Sequence, residues 1–155
     1  MIEDYNFVKY DPEFMEHLDR HIRGSETVGS TFTGELDARA IVDYAFEKIK
    51  KGYGGKKIVL EVDVGFVVGL EGVTMLSRLS RGTKVEKTIR DGKYEVNVVQ
   101  GIKKRPTSRL VIVAGPLEPV SKGRHGFITI YPGMCCPDLD DREFWKNHAF
   151  IDSKV

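Results

Sequence analysis

Leu110-Val111-Ile112-Val113-Ala114-Gly115-Pro116 reads as a buried central strand, because five consecutive apolar residues, three of them β-branched, are closed by a Gly-Pro stop. The pattern on either side of it is also extended. Asp91-Gly92 is a hairpin turn signal, and the alternating Lys93-Tyr94-Glu95-Val96-Asn97-Val98-Val99 follows it as a strand. Ile58 to Asp63 alternates or runs β-branched. Val64 to Gly72 continues with glycines at 65, 69 and 72 that suggest bulges or turns, and a further strand or ribbon covers Val73 to Ile89. Gly126 to Tyr131 forms a late strand that Pro132-Gly133 closes.

Helical signals come before these strands. In Asp11-Pro12-Glu13 the aspartate supplies a cap oxygen, the proline is preset for the first turn, and the glutamate suits the positive end of the dipole; Gly24 is a natural stop. Phe14, Met15, Leu18 and Ile22 fill one arc of this helix, with His17 and His21 together on its border. After a polar connector from Ser25 to Gly34, a second helix is expected from about Glu35 to Lys51, where Gly52 and Gly54-Gly55 end it. The expected fold is therefore α+β: two N-terminal helices followed by a twisted antiparallel β-sheet, with a short C-terminal helix or tail. One domain covering 1–155 is expected, without repeat or linker. In the tail, Phe144, Trp145, His148 and Phe150 suit a short helix whose aromatic face docks on the core, the alternative being that His148 or Trp145 lines a site.

Composition excludes several classes. Hydrophobic residues make up 41% and charged residues 30%, far from disordered or fibrous proteins. The net charge of +1 gives no global reason for an anionic partner, so any such partner depends on local charge. The neighbouring Cys135 and Cys136 could close only a strained ring, so no structural disulfide is expected. The first residues lack signal-peptide character, and the apolar stretches are too short to span a bilayer. A cytoplasmic location is expected, including delivery into another cell's cytoplasm. Phosphate-loop, dinucleotide and nucleophile-elbow motifs are lacking, as is any HExxH, so neither cofactor nor metal is expected.

Two short segments concentrate the chemistry. Glu16-His17-Leu18-Asp19-Arg20-His21-Ile22-Arg23-Gly24 and Arg124-His125-Gly126-Phe127-Ile128-Thr129-Ile130-Tyr131-Pro132-Gly133 together carry three of the four histidines. Asp19 to Gly24, followed by Gly29-Ser30-Thr31-Phe32, resembles the "RHI-G … ST-F" opening of C-terminal toxin domains of bacterial polymorphic toxins and related phage proteins. Ile128-Thr129-Ile130-Tyr131-Pro132 resembles their closing T-A-Y-P strand. Those domains belong to the barnase, EndoU, colicin and RelE-like nuclease superfamily. The resemblance implies helices before a four-stranded antiparallel sheet, RNA cleavage without metal, and an immunity or inhibitor protein as partner. This chain departs from the pattern in its long stretch from Val64 to Ile102, in Ile130 where a small residue is usual, and in its acidic-aromatic tail.

RNA cleavage by attack of a 2′-hydroxyl needs a base, groups that stabilise the charged phosphorane, and an acid for the leaving oxygen. The matching motif position makes His21 the acid or base, with His17 beside it and Arg20 or Arg23 holding phosphate. Thr129 would orient the phosphate, and Tyr131 would stack on a base or donate a hydrogen bond. The alternatives for His17 and His21 are surface roles, or half of a divalent-metal site. Thr129 in a strand is more often simply a β-former, and His125 is also readable as a turn residue. Between Arg78 and Arg109 ten cationic residues face three acidic ones. Lys103-Lys104-Arg105 in this segment, with Arg124 and His125, are the expected RNA contacts. The competing function is a non-catalytic α+β module that grips a nucleic acid or a protein, as monomer or dimer, through the same basic ribbon.

Overall fold

The computed structural model describes residues 1–22, 30–33 and 36–152. Along them run β1 (Asn6–Val8), α1 (Pro12–Ile22), β2 (Thr31–Phe32), α2 (Ala38–Ile49), β3 (Ile58–Asp63), β4 (Gly69–Glu71), β5 (Val73–Met75), β6 (Val85–Arg90), β7 (Tyr94–Gln100), β8 (Arg105–Thr107), β9 (Arg109–Pro116), β10 (Arg124–Pro132), α3 (Arg142–Trp145) and β11 (His148–Asp152). Arg23, Gly24 and Gly29 of the opening motif lie outside the described residues.

β9 is the central strand that its apolar run predicts, with Val111, Ile112 and Ala114 completely buried. It pairs antiparallel with β3 on one side and β10 on the other, in a sheet ordered β1-β10-β9-β3. A second sheet is ordered β5-β11-β7-β6 and a third, of very short strands, β2-β4-β8. The β6–β7 hairpin turns at Asp91 (φ 51°) and Gly92 (φ 73°), the two consecutive left-handed residues that match the twist of the flanking strands.

The expected order of two helices followed by one antiparallel sheet does not hold. Among the described residues the chain is mostly β, with eleven strands in three sheets and three helices, the longest of 12 residues. β1 precedes α1 and lies parallel to β10, with Phe7 opposite His125, and β2 intervenes between α1 and α2. The surplus from Val64 to Ile102 supplies three of the four strands of the second sheet and one of the third. The tail supplies α3 and also β11, which lies parallel to β7 inside the second sheet. The reason is length. Strands of two or three residues, such as β1, β2, β4, β5 and β8, have no alternation to read, and partners distant in sequence decide their conformation.

Two apolar clusters hold these layers. In the first, Phe14, Leu18 and Ile22 of α1 and Ile41, Ala45 and Ile49 of α2 pack against Leu110, Ile112, Ala114, Phe127 and Ile130. Asp11 caps α1 by accepting the Phe14 amide at 3.2 Å, and Asp37 caps α2 by accepting the Arg39 amide at 2.9 Å. The second cluster joins Val73, Val96 and Val98 to Trp145 and Phe150. The Trp145 and Phe150 rings stack with centroids 4.7 Å apart, and Nε1 of Trp145 donates to the carbonyls of Pro137 and Asp138. Trp145→Ala should therefore cost about 3–5 kcal/mol, read from urea unfolding followed by far-UV circular dichroism. A loss below about 1 kcal/mol would show that the second cluster does not need this ring.

Candidate active site

The site begins with an irregularity in β10. Phe127 pairs with Ala114 and Thr129 pairs with Val113, so Ile128 is an extra residue in the ladder. Phe127 and Ile130 are both buried in the first cluster, although a regular strand would send residues three apart to opposite faces. The bulge reconciles them, and it turns Thr129 and Tyr131 away from that core. Both side chains enter a cleft of about 270 Å³ that His21 also lines. The helix delivers His21 there because Phe14, Leu18 and Ile22 fix which face of α1 is buried. His17 and His21, one turn apart, meet edge to face with ring centroids 4.7 Å apart.

Ser30 completes the near wall, and the far wall is supplied by Val73, Arg90 and Phe150 of the second sheet and by Trp145 of α3, with Cys136 from the loop before α3. No carboxylate is among the described residues lining this cleft. Burial pushes both the Tyr131 phenol and the Cys136 thiol up to about 12. Both groups therefore keep their protons at neutral pH, and Cys136 is no thiolate nucleophile. The Tyr131 hydroxyl oxygen accepts the Cys136 amide hydrogen at 3.0 Å, and a phenol that accepts one hydrogen bond can still donate its own hydrogen.

The remaining candidates lie elsewhere. His17 and Arg20 line a larger neighbouring cleft of about 570 Å³ whose walls also carry Asp11, Glu13 and Glu118, a setting that disfavours a phosphate. Arg124 pairs with Asp11 at 3.5 Å and donates to the Glu118 carbonyl at 3.0 Å. His125 meets the buried Tyr53 through its Nδ1, 2.5 Å from the phenolic oxygen, and packs against Tyr5. Lys104 is buried. Lys103 and Arg105 line a separate cavity of about 150 Å³ with Arg78 and Thr74. Val73 and Phe150 face the His21 cleft, whereas their strand neighbours Thr74 and Ile151 face the basic cavity, so the two lie on opposite faces of the second sheet. His148 is also structural, stacked on Phe144 at 3.7 Å with Nδ1 2.7 Å from that residue's carbonyl oxygen.

Sequence reasoning thus joins His21, Thr129 and Tyr131, and misses Arg90, Ser30, Cys136 and Phe150. Arg90 carries one available signal, its place directly before the Asp91-Gly92 turn, where a strand's last side chain projects from the hairpin end. Among the described residues no group of His, Cys, Asp and Glu is arranged to hold a metal ion. No described helix is long and apolar enough to cross a membrane.

No family model matches the chain, and no curated protein matches it. Among solved structures the chain is similar to a chain of the CdiA-CT/CdiI complex from Y. kristensenii 33638, at 14% identity, covering 86% of this chain and 97% of that one with a TM-score of 0.38. At that identity and TM-score the likeness assigns neither residue roles nor activity.

The raised Tyr131 and Cys136 values set a pH dependence. Above about pH 9 the unfolded chain loses these protons while the folded chain keeps them up to about 12, so the folded state binds more protons and stability falls as pH rises through that window. Urea midpoints between pH 8 and 11 should decline more steeply for the parent than for a Tyr131→Phe, Cys136→Ala double variant. Parallel declines would contradict the burial of these two groups.

Proposed function

We propose that the protein is a metal-independent endoribonuclease that cuts RNA to a 2′,3′-cyclic phosphate, with the cleft between α1, β10 and the second sheet as its active site. The observation that carries this is the meeting of His21 with Thr129 and Tyr131 in one cleft, on elements from opposite ends of the chain. Neutral His21 takes the proton of the 2′-hydroxyl as its oxygen attacks the adjoining phosphorus. The bond from phosphorus to the 5′-oxygen breaks as the new one forms, and the leaving oxygen takes a proton. Tyr131 suits that donation, because a phenol held near 12 stays protonated at neutral pH yet is more acidic than an alcohol. The Thr129 hydroxyl donates to a non-bridging phosphate oxygen, whose negative charge grows in the transition state. A lining without a carboxylate among the described residues favours that charge, and the protonated Cys136 argues against a thiol mechanism.

A second reading, a nucleic-acid-gripping module without catalysis, draws on the basic cavity of Arg78, Lys103 and Arg105 on the far face. Purified protein should cleave total RNA in excess EDTA and leave 2′,3′-cyclic ends. His21→Ala should lower the rate at least about 100-fold, and Thr129→Val and Tyr131→Phe should each lower it measurably. Reversing Arg78, Lys103 and Arg105 together should weaken RNA binding and leave cleavage of a dinucleotide unchanged. Full cleavage by His21→Ala, or none by the parent protein, would remove the enzyme reading.

A further inference from the structure

The reaction needs a cation at the phosphate, and the described arginine of the opening motif is not placed there. Arg20 lines the acidic neighbouring cleft, and Arg23 lies outside the described residues. We infer that Arg90, delivered from the second sheet, is the phosphate-binding catalytic residue of the His21 cleft; this rests on the endoribonuclease reading for the identity of the reaction.

Three observations support it. Arg90 is the guanidinium among the described residues lining that cleft, half-buried and opposite Thr129 and Tyr131 of the near wall. Its position is fixed by the hairpin, since it is the last residue of β6, pairs with Tyr94, and its carbonyl accepts the Lys93 amide across the Asp91-Gly92 turn at 3.2 Å. Its place over an aromatic face is set by packing, because the guanidinium carbon sits 3.9 Å from the centroid of the Phe150 ring, which in turn stacks on Trp145. A stack on an aromatic face uses the π surface and keeps the N–H fork in the guanidinium plane, the arrangement that recognises a phosphate through two parallel hydrogen bonds. Phe150 and Trp145 are 8% and 3% exposed, so this support is rigid rather than a mobile surface contact. The second sheet is then part of the active site, and the ligand class is a phosphate ester whose anionic oxygens face Arg90 while its sugar faces His21.

Trp145 is the chain's one tryptophan and lines the same cleft, so its fluorescence reports occupancy directly. Titration with uridine 3′-monophosphate and with uridine should show the nucleotide binding roughly tenfold or more tighter. Arg90→Gln should bring the two affinities together, with Arg90→Lys intermediate because it keeps the charge and loses the fork. Single-turnover cleavage should fall in the same order, while far-UV circular dichroism and Tm of each variant check the fold independently. Equal affinities in the parent, or an undiminished preference for the nucleotide in folded Arg90→Gln and Arg90→Lys, would overturn the assignment. Phosphate discrimination without RNA cleavage by the parent would remove the endoribonuclease reading and leave the Arg90 site standing.

Discussion

One extra residue in β10 decides where the chemistry of this protein can be. With Ile128 bulged from the ladder, Phe127 and Ile130 both reach the first apolar cluster, and Thr129 and Tyr131 are turned out of it together. A regular strand would have to expose one of those apolar side chains or bury the threonine. The energy of packing Phe127 and Ile130, each at most 3% exposed, thus holds the two hydroxyls in the cleft, and the Cys136 amide adds a hydrogen bond to that of Tyr131. On the other side of the cluster, the same packing seats Leu18 and Ile22 of α1 and so presents His21. Core packing and the disposition of the polar groups are here one constraint.

The second sheet gives that cleft its far wall and its charge. It is assembled from the β6–β7 hairpin and the last strand of the chain, which lies between β5 and β7, so neither part stands without the other. Charge then separates sites that size alone would rank differently. The larger neighbouring cleft contains three carboxylates, whereas the smaller one combines an imidazole, a guanidinium and protonated hydroxyl and thiol groups. A phosphate ester finds complementary potential in the smaller one. The basic loop residues Lys103 and Arg105, on the opposite face of the sheet, do not extend this cleft.

Much of the scaffold was legible in the sequence, because its signals are local. Asp11-Pro12 and the apolar arc specify α1, Asp91-Gly92 specifies the hairpin, and the Leu110 run specifies the central strand. The arrangement of the strands was not legible, because β1, β2 and β5 are too short to carry a period, and because parallel pairing of β1 with β10 and of β11 with β7 joins segments far apart in sequence. For the site, Thr129 and Tyr131 stand one residue apart in an alternating segment and His21 ends a clear helix, so their types and approximate faces could be read. Among ten cations between Arg78 and Arg109, Arg90 is marked in sequence only by its place before the Asp91-Gly92 turn, and it takes the pairing of β11 with β7 and the contact with Phe150 to single it out. His125 and Arg124 looked equivalent to the other basic groups in sequence, yet their contacts with Tyr53, Asp11 and Glu118 tie them into the scaffold.

A crystal structure with a 2′-deoxy dinucleotide, which lacks the attacking hydroxyl and so stays intact, would test the central claim most directly. The account predicts its phosphodiester in the cleft between His21 on one side and Thr129 and Tyr131 on the other. A dinucleotide held instead at Lys103 and Arg105, or in the cleft of His17 and Arg20, would contradict it.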